Sequence, residues 1–285
     1  MKSRKLLRWI PAASILAALR SHGKPVPGEA VTPAGFAIAV QCWSFKSFTL
    51  FEAIELTAAT GAGAVEIFPG QQIGGPLGDA RLDPAKAGEQ VPAILEHCAE
   101  HGIRPLSFGV VDVPKNEARA REIFEFARAL GVSGINTESI DALDTLEQLA
   151  IEYDLRIGFH NHPKPTKLWN PATIRSAIED RDERIGYCAD LGHWASSALD
   201  PLQAVQKIAP RIHAFHMKDR AGIEEWTHDR PFGTGVIDLV AILDEVRKHG
   251  FTGNVVIEYE HNWDTNPVEI AQCVGYLRGY SKMRA

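Results

Sequence analysis

Residues 155–165 read LRIGFHNHPKP. A short apolar run of strand length ends in His160 and His162, two positions apart, and Pro163 follows at once. Successive residues of a strand point to opposite faces, so Ile157 and Phe159 share one face while Gly158, His160 and His162 share the other. The apolar pair suits a covering layer of helices. The second set begins small and ends in imidazoles, which marks one end of the strand as chemically different from the other.

The same grammar recurs along the chain. From Phe36 onward, strand-length apolar runs alternate with segments of helical period: FAIAVQCW (36–43), GAVEIFPG (63–70), IRPLSFGVVDV (103–113), VSGINTES (132–139), RIGFHNHP (156–163), IGYCADLGHW (185–194), IHAFHMKD (212–219) and NVVIEYEHNW (254–263). Between them lie amphipathic stretches such as NEARAREIFEFARALG and IDLVAILDEVRKHG, several closed by glycine (Gly61, Gly102, Gly131, Gly250), the expected C-terminal stop. Strand–helix alternation implies the α/β class with a parallel sheet, and eight units favour a closed (β/α)8 TIM barrel over an open sheet. A chain of 285 residues, 45% hydrophobic, is long enough for one such core. The expected organisation is a single barrel domain over residues 35–285.

Residues 1–34 read differently. MKSRKLLRW carries four basic residues, WIPAASILAAL is apolar but too short to span a bilayer, and a proline-rich stretch follows. That order is the grammar of a signal peptide and linker, so the expected location is periplasmic or secreted, with no membrane span in the mature chain. The alternative is a cytoplasmic enzyme with an amphipathic leader.

Composition narrows the partners. A formal charge of −6 and a pI near 6.0 give no global basic field, so a nucleic acid is disfavoured and a small molecule preferred. Cys42, Cys98, Cys188 and Cys273 are far apart and form no C-x-x-C pair, which argues against a zinc–thiolate site. The segment GQQIGGPLG (70–78) lacks the strand–turn–helix context of a dinucleotide fingerprint, so no nucleotide cofactor is expected. It reads as a mobile loop over the barrel mouth. The oligomeric state is left open.

Strand parity then collects the site. Facing inward with His160 are Glu66 on the second strand, Asn136 and Glu138 on the fourth, Asp190 on the sixth, His216 and Lys218 on the seventh, and Glu258 and Glu260 on the eighth. All sit at C-terminal strand ends, where barrel enzymes build their sites. Burying so many ionisable groups is costly without compensation, and a divalent metal would supply it. His160, Asp190, His216 and Glu258 offer two imidazoles and two carboxylates, a set suited to one Mn, Co, Zn or Fe ion, with Mg possible. Trp43 and Trp194 lie near strand ends and would offer aromatic faces to a sugar ring.

CADLGHW, HMKD, GTGVIDL and IEYEHNW, in that order and spacing, resemble the motifs of the xylose-isomerase-like TIM-barrel superfamily. It includes sugar isomerases and epimerases, inosose dehydratases and the endonuclease IV type of repair enzyme. The resemblance runs from about Phe36 to the C-terminus. It implies one divalent metal bound at His160, Asp190, His216 and Glu258, substrate contact by His193, and a small carbohydrate as substrate. One departure stands out: many relatives have ENH on the fifth strand, and this chain has HNH at 160–162. The symmetric glutamate pair of the epimerases is therefore broken.

The expected function is a metal-dependent sugar or keto-sugar isomerase/epimerase working through an enediolate. Glu138 or His162 is the expected base and Lys218 the acid or electrophilic partner; His193, Glu66, Trp43, Trp194 and Glu260 are expected to contact substrate. The alternatives are a lyase or dehydratase acting on 3-keto-sugars or 3-keto-glycosides, which the histidine-rich strand favours, an endonuclease-IV-like nuclease, and a sugar-binding barrel without activity.

Overall fold

The computed structural model describes residues 31–223 and 227–285; the expected leader lies outside the described residues as far as residue 30. Eight parallel strands, β1 (Ala37–Gln41), β2 (Ala64–Ile67), β3 (Arg104–Phe108), β4 (Gly134–Thr137), β5 (Arg156–His160), β6 (Ile185–Asp190), β7 (Ile212–Met217) and β8 (Asn254–Ile257), close in the order 1-8-7-6-5-4-3-2. Helices follow the strands and pack outside them, giving the expected (β/α)8 barrel.

Parity sorts the two layers. Outward residues such as Ile38, Val65, Ile135, Ile157, Phe159, Phe215 and Val255 join the helices in one continuous core. Inward residues Ala37, Ala39, Ala64, Leu106 and Val256 form a separate cluster inside the barrel. They are mostly small because an eight-stranded barrel has just enough interior for its own side chains. Gly158 shows the tightness: a Cβ there would lie 2.4 Å from Asn136 Oδ1 and 2.9 Å from Cys188 Cβ.

Local signals fix the helix ends. Helix α1 (Leu50–Thr60) starts at a reciprocal capping box between Thr49 and Glu52 and stops at Gly61, whose φ of 88° is left-handed. Helix α2 (Ala87–Glu100) packs beside it. After β7 the chain forms a short antiparallel ribbon, Asp219–Arg220 with Asp229–Arg230. The Asp219 carboxylate accepts from the backbone N–H groups of Gly233, Gly235 and Ile237 at 2.9–3.1 Å, so the aspartate of HMKD organises the GTGVI loop.

Two sequence expectations are corrected. Residues 31–34, assigned to the linker, are already docked: Thr32 is buried and Ala34 N–H donates to Ser281 Oγ at 2.9 Å. The glycine-rich segment is pinned rather than loose, with Ile73 fully buried and the carbonyls of Gln72 and Ile73 accepting from Leu50 and Phe51 at the start of α1. Backbone pairing with a helix N-terminus was not encoded in its composition. All four cysteines are buried free thiols, and among the described residues no helix is long and apolar enough to cross a membrane.

Candidate active site

Strand stagger gathers the charged groups at one end of the barrel. Gly158 pairs with Gly186 and His160 with Cys188, so Asp190 stands one inward position above its neighbour on β5. Asp190 pairs directly with His216, and His216 with Val256, which puts Glu258 one inward position higher again. One donor atom from each of His160, Asp190, His216 and Glu258 lies within 4.8 Å of the others, and all four residues are buried.

The D-L-G-H motif has a local reason for each residue. Asp190 ends β6 and caps helix α3 (Leu191–Ser196), accepting from His193 N–H at 2.7 Å. Gly192 leaves room for Lys218, since a Cβ there would meet Lys218 Cδ at 2.6 Å. His193 is thereby turned to the mouth, its Nδ1 donating to the Asn161 carbonyl at 2.9 Å. Asn161 also exchanges two 3.0 Å hydrogen bonds with the Asp190 backbone, locking β5 to β6.

Outer carboxylates orient both buried imidazoles. His216 Nε2 faces Glu66 at 2.7 Å, and Glu66 can only accept, so Nε2 carries the proton and Nδ1 a lone pair. Likewise His160 Nδ1 donates to Glu138 at 2.9 Å, leaving its Nε2 free. His216 Nδ1 and His160 Nε2 are buried without hydrogen-bond partners, although Glu258 and Asp190 oxygens stand 3.2 and 3.4 Å away. Each of these nitrogens faces a carboxylate and needs either a second proton or a metal ion between them. This carboxylate–histidine arrangement is the one that orients metal-ligating imidazoles.

Charge counting agrees. Glu66, Glu138, Asp190, Glu258 and Glu260 surround the site, and Lys218 is the ammonium among them: it bonds Asp190 at 2.6 Å, Glu258, and Glu260 at 3.1 Å. Burial opposes ionisation of Asp190, Glu258 and Glu260, yet Lys218 and the neighbouring imidazoles hold all three below the usual carboxylate range. Burial also disfavours a second proton on His160 and His216. Asp190 and Glu138 around the first, and Cys188, Glu258 and Glu66 around the second, outweigh it and raise both imidazoles. A second proton and a metal ion compete for the same two nitrogens. The four residues fit a divalent transition metal by donor type, by proximity and by the charge they leave uncompensated.

A cavity of about 340 Å³ opens above this set, lined by Gln41, Trp43, Phe68, Pro69, Val110, His160, His162, His193, Glu258 and Glu260. Trp43 forms part of its wall and donates from its indole N–H to Glu260 at 3.1 Å. The rings of His162 and His193 stack with centroids 4.8 Å apart. His162 Nδ1 hydrogen-bonds Glu138.

Several expectations change here. Trp194 has no exposed surface and belongs to the core, because α3 turns it away from the mouth. Glu66 is fully buried beneath the ligands and saturated by Gln41, Ser107, Asn136 and His216, so it positions His216 and cannot touch substrate. Lys218 is buried and committed to three carboxylates, which makes it a counter-ion rather than an exposed acid. Glu138 lies outside the cavity wall. Burial works to raise its pKa, but hydrogen bonds from His160 and His162 hold it down at about 2. Gln41 and Asn161 escaped the sequence reading; Gln41 could have been found, since Ala37, Ala39 and Gln41 repeat the small, small, polar inward pattern on β1.

A family model described as a xylose isomerase-like TIM barrel matches residues 54–279. The chain belongs to that family. Among curated relatives, the inosose dehydratase of Geobacillus thermodenitrificans is 28% identical over 149 residues, covering 46% of this chain and 50% of that protein. The chain spans about half the length of the curated relatives it matches. Among solved structures, an uncharacterised protein of Parabacteroides distasonis is 29% identical with a TM-score of 0.69, over 86% of this chain and 99% of that one. The IolI protein, solved with a zinc atom, is 16% identical with a TM-score of 0.67, over 87% and 99% of the two chains, and shares the barrel fold.

Glu66→Gln is expected to keep the fold and weaken metal binding by about 10–100-fold, the usual cost of losing an outer partner of a ligating imidazole. Competition against a chelator of known affinity measures it. An unchanged affinity would remove Glu66 from the metal-orienting role.

Proposed function

We propose that this xylose isomerase-like barrel is a metal-dependent enzyme that removes a proton next to a carbonyl in a neutral keto-sugar or related cyclic polyol ketone, and then eliminates a β-oxygen. His160, Asp190, His216 and Glu258 would hold the metal, of the Zn, Co, Fe or Mn group. When bound, such an ion supplies Lewis-acid stabilisation of the negative charge that develops as the carbon acid loses its proton.

The chain's own residues supply the rest. His162 lines the cavity, and its Nδ1–H is held by Glu138, which directs the basic Nε2 lone pair outward. His193 stacks beside it and lines the same cavity, where it would contact the same substrate. Trp43 and Phe68 offer apolar faces to the ring. The observation that carries elimination over epimerisation is the one-sidedness of the imidazoles. An epimerase must deliver and remove protons on opposite faces, and the cavity's carboxylates are already committed: Glu258 and Glu260 are tied to Lys218, and Glu260 also faces His193 at 3.4 Å. A single imidazole can serve a syn elimination: it takes the proton as the C–H bond breaks, a C=C bond forms, and the proton passes to the departing oxygen.

Among the described residues lining the cavity none is lysine or arginine, and two are glutamates. A phosphorylated sugar would meet like charge there. We therefore expect turnover of neutral keto-sugars and no turnover of their phosphates. The test is a panel of both in D2O with metal supplied, followed by NMR. An unsaturated ketone with release of water or an alcohol is the expected product. Recovery of an epimer carrying solvent deuterium, with no elimination product, would replace this reading with epimerisation.

A further inference from the structure

We propose that a second divalent metal of the zinc class binds outside the barrel, between α1 and α2, through Glu55, His97 and His101. One nitrogen of each imidazole and one Glu55 oxygen lie within 4.8 Å of one another. None of the three belongs to the barrel site.

The helices prearrange them. His97 and His101 stand one turn apart at the end of α2, with ring centroids 4.4 Å apart. The spacing of i and i+4 puts both rings on one face. The His97 ring lies flat on Phe51 of α1, 4.0 Å between centroids and 10° between planes, which fixes its orientation. Glu55, one turn after Phe51, faces His97 Nε2 at 3.7 Å.

Each imidazole has an acceptor behind it. His101 Nδ1 lies 2.9 Å from the His97 carbonyl oxygen, which can only accept, so its proton is on Nδ1 and its Nε2 carries the lone pair. His97 Nδ1 faces Glu100 at 3.8 Å. Without metal, His97 Nε2–H donates to the Phe51 carbonyl at 3.2 Å. A metal at Nε2 shifts that proton to Nδ1, toward Glu100. The ligands are then two nitrogens and one carboxylate, with the Phe51 carbonyl oxygen, 3.2 Å from His97 Nε2, beside the fourth position; that set selects zinc-like ions over magnesium or calcium.

The surroundings favour a cation. Glu52, Glu96 and Glu100 line the same cavity of about 560 Å³, together with His97 and the Gly74–Pro76 stretch. A metal there would clip α1 to α2 beneath the glycine-rich segment.

The test counts zinc in chelator-stripped protein by equilibrium dialysis. The unmutated chain should bind one zinc more than a Glu55→Gln/His101→Gln variant, which keeps the His97–Phe51 stack. That difference is independent of whether the barrel site fills, so its failure is separate from failure of the proposed function. Glu100→Gln should retain the count with about 10-fold weaker binding. Magnesium in place of zinc should show no difference between the two proteins. Equal zinc counts in the folded proteins would overturn the site. If the double variant does not fold, crystals of the unmutated protein soaked in zinc decide: an anomalous peak among the three side chains is expected, and none at saturating zinc overturns the proposal.

Discussion

Lys218→Met is expected to lower the unfolding free energy of the metal-free protein by about 3–5 kcal/mol, the cost of leaving buried charges without their partner. The ammonium has no exposed surface and bonds Asp190, Glu258 and Glu260. Methionine fills much of the same volume, so the loss reports charge rather than packing. Added zinc should restore much of the stability, because Asp190 and Glu258 would again face a cation. Denaturant unfolding with chelator and with zinc makes the comparison. A loss of less than about 1 kcal/mol in chelator, the scale of an exposed pair, would mean that other groups neutralise these carboxylates.

His162→Gln is expected to reduce turnover by ~10²–10⁴, the usual effect of losing an acid/base group, with metal content unchanged. His162 lines the cavity but lies outside the four-residue donor set. Glu138→Gln should behave differently. Glu138 accepts from both His160 and His162, so its loss should lower turnover and weaken the metal together. Steady-state rates beside metal analysis separate the two patterns. Full activity in His162→Gln would remove it as the base and leave His193 as the imidazole to test.

The two substitutions act on different layers of one construction. Lys218 lies among the buried carboxylates at the level of the donor set; His162 stands at the rim, with its side chain 47% exposed. Stability should therefore respond to the first and catalysis to the second.

The barrel was readable from sequence because its determinants are local and repeated. Two-residue alternation assigns Ile157 and Phe159 to the helix layer and Gly158 and His160 to the axis, and glycines such as Gly61 and Gly131 stop helices wherever they stand. Parity also put His160, Asp190, His216 and Glu258 on the inward face near the C-terminal strand ends, and the stagger of β6 against β5 and of β8 against β7 then brought them together. What each inward residue does was decided by tertiary structure alone. Glu66 and Glu258 look alike in sequence, yet one is sealed beneath four hydrogen-bond donors and the other faces the cavity. Trp194 carries the same aromatic surface as Trp43, but the turn of α3 after Asp190 buries it. Lys218 reads as the acid or electrophilic partner, or as half of a salt bridge, until three carboxylates from β6 and the end of β8 are found around it. Periodicity fixes the face on which a side chain lies; its depth, its partners and therefore its charge state depend on contacts between strands far apart in the chain.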